Sequence, residues 1–357
     1  MKNLVFLLVM FSHLSWAEDY TLETVAEGLN HPWSVTFLPD GDYLVAFRVG
    51  EVRRISAAGE VGEAIGNAPE TYFAGQGGFF DVILDPDFAT NQIVYLSYAG
   101  GTPDSNGTTI MKARLDANEF KDAETIFSAT PKDTPQHYGG KMIFLSDNTL
   151  MLTTGDGFEY REAAQDKQSQ LGKIIRLHRD GSVPSDNPFS ADETGNPFVY
   201  SYGHRNPQGL VMAANDQIYL HEHGPKGGDE VNLVSPGSNY GWPAVTHGEN
   251  YSGAYVSPLK QAPGITEPKH VWVPSIAPSG MAYYSGQMFP EWQGNLFVGA
   301  LVDQEVRMLE LSGEKVINET TLFKEIGERI RDIRQGPNGE LYIVTDGENG
   351  KIVRVSR

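Results

Sequence analysis

The chain has 357 residues, no cysteine and a formal net charge of −19. Without cysteine it has no disulfide, no thiol nucleophile and no zinc–thiolate site. Such acidity excludes an electrostatic grip on nucleic acid or on an anionic membrane surface, and suits a neutral substrate such as a sugar, a cationic partner or metal ions.

The first element is a leader. MKNLVFLLVMFSHLSWA has Lys2 as a short positive region, an apolar core from Leu4 to Leu14, and small residues at Ser15 and Ala17. The core is too short to span a bilayer, so the pattern predicts a signal peptide over residues 1–17, cut after Ala17. An N-terminal anchor or a buried first strand is the alternative. No cysteine follows, so a lipid anchor there is excluded. The expectation is one exported domain over residues 18–357, periplasmic or secreted and not inserted in a membrane, with about 340 residues from which to build a core.

Helical periodicity is nearly absent beyond this point. A β-rich run, a turn of Pro, Asp, Asn and Gly, and a second β-rich run recur instead. The units are SVTFLPDGDYLVAF from Ser34, GGFFDVILDPDFATNQIVYLSY from Gly77, GGKMIFLSDNTLMLTTGDG from Gly139, PQGLVMAANDQIYLHEHG from Pro207, SGMAYYSGQMFPEWQGNLFVGAL from Ser279 and RDIRQGPNGELYIVTDG from Arg331. Self-similar β units at this period predict an all-β, six-bladed β-propeller. A two-sheet sandwich array or a parallel β-helix is the alternative, though the latter needs shorter and stricter repeats. YTLETVAEGL near the start and KIVRVSR at the end are strand-like and are expected to pair and close the ring. The longest connections are read over residues 158–200 and 222–276, and a site is expected there.

Several loop residues could carry chemistry. Gln76 sits among glycines in AGQGGFF, where a backbone can approach a ligand. His137 in TPQHYGGKM stands at a strand mouth with a side chain suited to general-base work. Arg205 and Asn206 in YGHRNPQGL offer a planar cation and an amide, suited to carboxylates or carbonyls. Arg329 and Arg331 in GERIRDIRQGP fall on one face of an extended strand, which suggests an anionic ligand or pairing with local acids. HEHGPKGGDEVNLVSPGSNYGW, from His221, collects acids and free carbonyls in a Gly/Pro-rich loop. Hard oxygen ligands of this kind suit Ca²⁺, and a solvated turn would look the same.

The whole chain after the leader resembles the soluble aldose sugar dehydrogenases that use pyrroloquinoline quinone (PQQ), relatives of soluble quinoprotein glucose dehydrogenase. The resemblance rests on GQGGFFDVILDPDF, HYGGKM, TTGDG, YGHRNPQGL, EHGPKGGDEVN, GSNYGWP, APSGMAYY and RIRD, taken in order. It implies a six-bladed propeller that oxidises aldose sugars at C1 to aldonolactones. His137 would be the general base, Gln76 a cofactor and substrate contact beside it, and Arg205 with Asn206 the residues at the quinone oxygens. Tyr251, the run Ala300, Leu301, Val302 and Asp303, and the run Arg329, Ile330 and Arg331 would form the cofactor pocket. Two calcium ions are implied: one at PQQ on the Gly224 and Pro225 carbonyls, and a structural one on Glu230 and the Tyr240 carbonyl. An aldose substrate, an unidentified electron acceptor and a monomer or homodimer complete the expectation. The chain departs from the family pattern at Val302, where a lysine is expected, and at Arg161, where the glucose enzyme has an amide. A calcium-dependent propeller lactonase and a non-catalytic carbohydrate-binding propeller are the competing readings.

Overall fold

A computed structural model describes residues 20–357. The leader and its cleavage site lie outside the described residues. Six antiparallel sheets of four strands form the propeller, as the repeats predict. Blade 1 comprises Pro32–Phe37, Tyr43–Phe47, Glu51–Ile55 and Val61–Ala64. Blade 2 comprises Phe79–Leu84, Ile93–Thr102, Ser105–Asp116 and Glu119–Ser128. Blade 3 comprises Met142–Phe144, Leu150–Thr154, Lys173–Leu177 and Val199–Tyr202. Blade 4 comprises Pro207–Met212, Ile218–Glu222, Asp229–Val234 and His270–Trp272. Blade 5 comprises Pro278–Tyr283, Leu296–Ala300, Val306–Ser312 and Lys315–Leu322. Blade 6 comprises Ile330–Gln335, Leu341–Thr345, Gly350–Ser356 and, as its outer strand, Thr21–Leu29. Thr21 lies opposite Ser356 and Leu29 opposite Gly350, so the two chain ends pair in one blade as expected.

Two expected long connections are corrected. Residues 158–200 contain Lys173–Leu177 and the start of Val199–Tyr202, and residues 222–276 contain Asp229–Val234 and His270–Trp272. Both spans carry the outer half of a blade.

Packing explains which strands stand out. The second strand of five blades (Tyr43–Phe47, Leu150–Thr154, Ile218–Glu222, Leu296–Ala300 and Leu341–Thr345) is buried along its whole length, because neighbouring blades cover both faces. Burial on both faces selects a continuous apolar run. The core lies between blades: Leu44, Ala46 and Val52 of blade 1 meet Phe79, Leu96 and Met111 of blade 2.

Two features of the first strands shape the centre. Register shifts interrupt five of them at their beginnings, between Pro32 and Ser34, Phe79 and Val82, Pro207 and Gly209, Pro278 and Met281, and Ile330 and Asp332. A bulge re-aims the residue it contains. Trp33, Phe80, Gln208 and Arg331, each inside one of these shifts, all line the central cavity. Beneath them the axis is filled by charge: Lys141 Nζ meets Asp332 at 2.7 Å, while Arg334 meets Asp332 at 2.9 Å and Asp81 at 2.6 Å. Lys141 precedes blade 3, which stands opposite blade 6, so its bond to Asp332 crosses the axis. Lys141 Nζ also sits 4.7 Å from the centre of the Trp33 ring, which places the cluster directly under the cavity floor.

Candidate active site

The cavity opens where the first strands begin and has a volume of about 420 Å³, within the usual range of about 300–1,000 Å³ for small-molecule sites. Every blade contributes through the segment before its first strand or the one after its second. Trp33 and Phe80 form an aromatic floor at 5.6 Å between ring centres.

On one side stands a buried pair. His137 Nδ1 is 2.6 Å from Asp156 Oδ1, and neither side chain is more than 5% exposed. Asp156 also accepts from Trp242 Nε1 at 2.6 Å and from the Phe158 N–H at 2.8 Å. Burial alone would raise the Asp156 carboxyl, but the hydrogen bond and charge of His137, with Arg205 and the Phe158 N–H, hold it below the ordinary range. Such a carboxylate only accepts, so the proton is assigned to Nδ1 and the Nε2 lone pair is free. Burial lowers the His137 pKa and outweighs the opposite pull of Asp156, so the ring is neutral near pH 7.

The backbone at His137 is unusual for a non-glycine residue, with φ at 49°, a left-handed conformation that the surroundings must enforce. Two contacts do so. The His137 N–H donates to Gln76 Oε1 at 2.8 Å. Gly155 lies so close that a Cβ there would sit 2.2 Å from the His137 carbonyl oxygen.

The opposite wall is cationic. Arg329 and Arg331 both line the cavity and both reach Asp346 at 3.1 Å. Burial would raise Asp346, but the two guanidiniums bring it down to about 2. Arg48 lines the same wall and donates from Nη1 to the Gly75 carbonyl at 2.5 Å. Among the described residues Asp346 is the only acidic one on the cavity wall, against three guanidiniums. His223 donates from Nε2 to the Pro278 carbonyl at 2.6 Å, and burial, then Arg205, depress it to about 3.

A second, smaller void of about 10 Å³ lies behind Arg205, lined by Glu222, Glu230, Gly224, Tyr240 and Trp242. Glu222 accepts from the Arg205 N–H at 2.5 Å and from His204 Nδ1 at 2.9 Å. Burial first, then the Glu222 charge, push Glu230 well above the usual carboxylate range. Two carboxylates facing one small void call for a cation. Asp229 is otherwise engaged: it accepts from the N–H groups of Gly224, Ile276 and Ala277 and from Ser275 Oγ, at 2.6–3.0 Å. It therefore ties the Gly-rich loop to the entrance of blade 5. Gly224 has no room for a side chain, since a Cβ would lie 2.3 Å from two carbonyl oxygens. Among the described residues no cluster of three His, Asp or Glu side chains could hold a metal, so any cation here draws on backbone oxygens.

Residues 29–354 match the Glucose / Sorbosone dehydrogenase family. The chain belongs to this family. It is 39% identical to the aldose sugar dehydrogenase YliI of Escherichia coli K12, over 98% of this chain and 96% of that one. The solved soluble aldose sugar dehydrogenase of Escherichia coli, in its apo-form, superposes with a TM-score of 0.91 at 38% identity, covering 94% of this chain and 99% of that one. The PQQ-bound aldose sugar dehydrogenase of Streptomyces coelicolor gives 0.80 at 28% identity, covering 94% and 98%. The chain is an oxidoreductase with the propeller fold of that family.

Gln76, Asn206, Leu301, Val302, Arg329 and Arg331 line the cavity. His137 stands just behind the wall at 4% exposure, and Arg205 fronts the small void. Four expected pocket residues fall elsewhere. Tyr251 lies on an outer turn, 67% exposed. Ala300 and Ile330 are fully buried in the sheets. Asp303 pairs with Arg307 at 2.7 Å. In the first run the strand ends at Ala300 and the turn after it presents Leu301 and Val302 to the cavity; in the second, strand alternation turns Ile330 away from the cavity that Arg331 lines. Gly224, Pro225, Glu230 and Tyr240 do converge: Gly224, Glu230 and Tyr240 line the small void, and Pro225 is buried in the same loop. Arg161 lies on a short surface turn and reaches Glu162 at 3.5 Å, away from the cavity. Asp156, Arg48, His223 and the Trp33–Phe80 floor had no assigned role in the sequence. TTGDG displayed Asp156 between glycines at a strand end, which is the one local signal among them.

Proposed function

We propose that the protein oxidises aldose sugars at C1 to aldonolactones, with PQQ as cofactor and two calcium ions. The observation that carries this reading is the buried His137–Asp156 pair placed beside a cavity whose opposite wall holds three guanidiniums against one carboxylate. The residues present fit both groups. PQQ carries three carboxylates, and a polyanion suits that wall. Arg205 Nε is buried without a partner, a donor left over for a ligand oxygen. Glu222 and Glu230 face a void suited to a cation. The Gly224 carbonyl accepts from Arg205 Nη1 at 2.7 Å and keeps a second lone pair for a cation.

The chain's own part follows from geometry. His137 Nε2 takes the proton of the sugar C1 hydroxyl, and Asp156 stabilises the imidazolium that forms. Gln76 fixes the His137 backbone through Oε1 and keeps its amide NH₂ for the ligand. Arg205 and Asn206 hold the ligand's oxygens opposite the base. When bound, PQQ would supply the hydride acceptor for C1, held by Arg205 and Asn206, and Ca²⁺ would supply Lewis-acid polarisation, held by the Gly224 carbonyl. The sugar thus loses two hydrogens, one as a proton to His137 and one as hydride.

The leader pattern supports a periplasmic or secreted location, and a separate electron acceptor must reoxidise the cofactor. Among the described residues no helix is long and apolar enough to cross a membrane. The acidity argues against a nucleic-acid partner, and the protein is taken to act as a monomer or homodimer. The test is reconstitution: purified apoprotein with PQQ and Ca²⁺ should reduce a dye when given a panel of aldoses. Dye reduction equal with and without PQQ, or none with any aldose, would remove the reading.

A further inference from the structure

Among the described residues Arg48 forms no ion pair, and its only side-chain hydrogen bond is Nη1 to the Gly75 carbonyl. Arg329 and Arg331, its neighbours on the wall, share Asp346. Arg48 is half-buried, on the turn after the second strand of blade 1. Two contacts set its direction. The Gly75 carbonyl holds one end, and the guanidinium carbon stacks 4.9 Å from the centre of the Phe73 ring. Burial, and then the charge of Arg331, lower its pKa, and Asp346, already paired with Arg329 and Arg331, offsets this only in part.

A half-buried, oriented guanidinium with free donors costs the apoprotein stability unless a ligand completes it. The wall lacks a further cation where one is expected, because Val302 offers only apolar surface there. We propose that Arg48 is an anchoring residue for a carboxylate of the cofactor, supplying the positive charge that Val302 does not. The inference rests on the PQQ reading of this cavity. It adds to that reading a residue of blade 1 on the wall that Val302 of blade 5 also lines. The carboxylate would complete a set in which Arg329 and Arg331 already spend part of their charge on Asp346.

The test is PQQ titration of calcium-loaded apoprotein by calorimetry, at two salt concentrations, for the wild type, Arg48→Gln and Arg48→Lys. A lost charge-assisted hydrogen bond corresponds to about ten- to a hundredfold weaker binding. Arg48→Gln should show that loss together with a shallower dependence on salt, and Arg48→Lys should recover part of the affinity and the steeper dependence. Loss of affinity with an unchanged salt dependence would mean that Arg48 acts only by holding Gly75, and would overturn the proposal. A second readout needs no variant: modification of wild-type arginines by butanedione, mapped by peptide mass spectrometry, should show Arg48 protected by PQQ. Equal modification with and without PQQ sinks the proposal even if Arg48→Gln fails to fold. If the wild type takes up no PQQ, the cofactor reading falls and this inference with it. If the wild type binds and Arg48→Gln binds equally, only the inference falls.

Discussion

His137 Nδ1 lies 2.6 Å from Asp156 Oδ1, and Asp156 is anchored in turn by Trp242 Nε1 at 2.6 Å. The chain Trp242–Asp156–His137 fixes one tautomer and one ring plane before substrate arrives. His137→Ala should lower kcat by about 10²–10⁴-fold, the usual cost of losing a general base, with PQQ binding retained. Asp156→Asn should come close to it, because an amide NH₂ facing Nδ1 favours the wrong tautomer. The measurement is turnover of variants whose holo-form is confirmed by absorbance. Turnover of Asp156→Asn near the wild-type value would show that the pair only packs.

The same pair sets a pH signature. His137 is depressed by burial and partly restored by Asp156. The base-competent form therefore persists below the ordinary histidine pKa of about 6.5. The rising limb of kcat/KM should lie below that value, and Asp156→Asn should move it lower still while reducing the plateau. The linkage sign agrees for both groups. Their folded pKa values are lowered, so the folded state binds fewer protons: the His137 contribution is lost as pH falls below about 6.5, and the Asp156 contribution only as pH falls below about 3.9. A rising limb at or above the ordinary histidine value would contradict this picture.

What could be read from the sequence follows from how each strand is covered. Tyr43–Phe47 is apolar throughout and Leu341–Thr345 up to its last residue because both faces are packed, and with their turns they announced their blades. Val61–Ala64 is mostly exposed and His270–Trp272 has three residues, so such outer strands leave no readable pattern. In the site, His137, Gln76 and the two arginines of RIR stood in recognisable motifs. Asp156 stood in TTGDG without a legible role and Arg48 in no motif, because their roles arise from contacts across 19 and 27 residues of chain. Tyr251, named only by the resemblance and in none of those motifs, is 67% exposed on an outer turn.

Calcium should have a stabilising role that inverts in one variant. Glu230 is raised by burial and by the Glu222 charge, so the cation-free site carries a repulsion that a bound cation removes. A ligand at 100 times its Kd stabilises by about 2.7 kcal/mol, and the wild-type Tm should rise accordingly with added Ca²⁺. Glu230→Gln should melt at or above the wild type in EDTA, since the repulsion is gone, yet gain little from Ca²⁺. Scanning calorimetry in both conditions checks the crossing. Parallel Ca²⁺ responses in the two proteins would exclude Glu230 as a ligand.

Val302 is 59% exposed and lines the cavity. Its N–H donates to the Ile276 carbonyl at 3.1 Å, and the adjacent Leu301 carbonyl accepts from Arg329 Nη1 at 3.3 Å. The backbone is thus fixed, and a longer side chain at this position would extend over the arginine wall. Val302→Lys adds a cation that can make a charge-assisted hydrogen bond worth roughly 1.5–3 kcal/mol, so PQQ should bind up to about a hundredfold more tightly. The new lysine would be partly exposed, so the gain should shrink as salt rises. Arg48 already supplies charge to the same wall, which makes the two positions dependent. The gain from Val302→Lys should be larger in an Arg48→Gln background than in the wild type, a coupling that a double-mutant cycle reads directly. Equal PQQ dissociation constants for the wild type and Val302→Lys, in both backgrounds, would mean that the arginines alone satisfy the cofactor's charge.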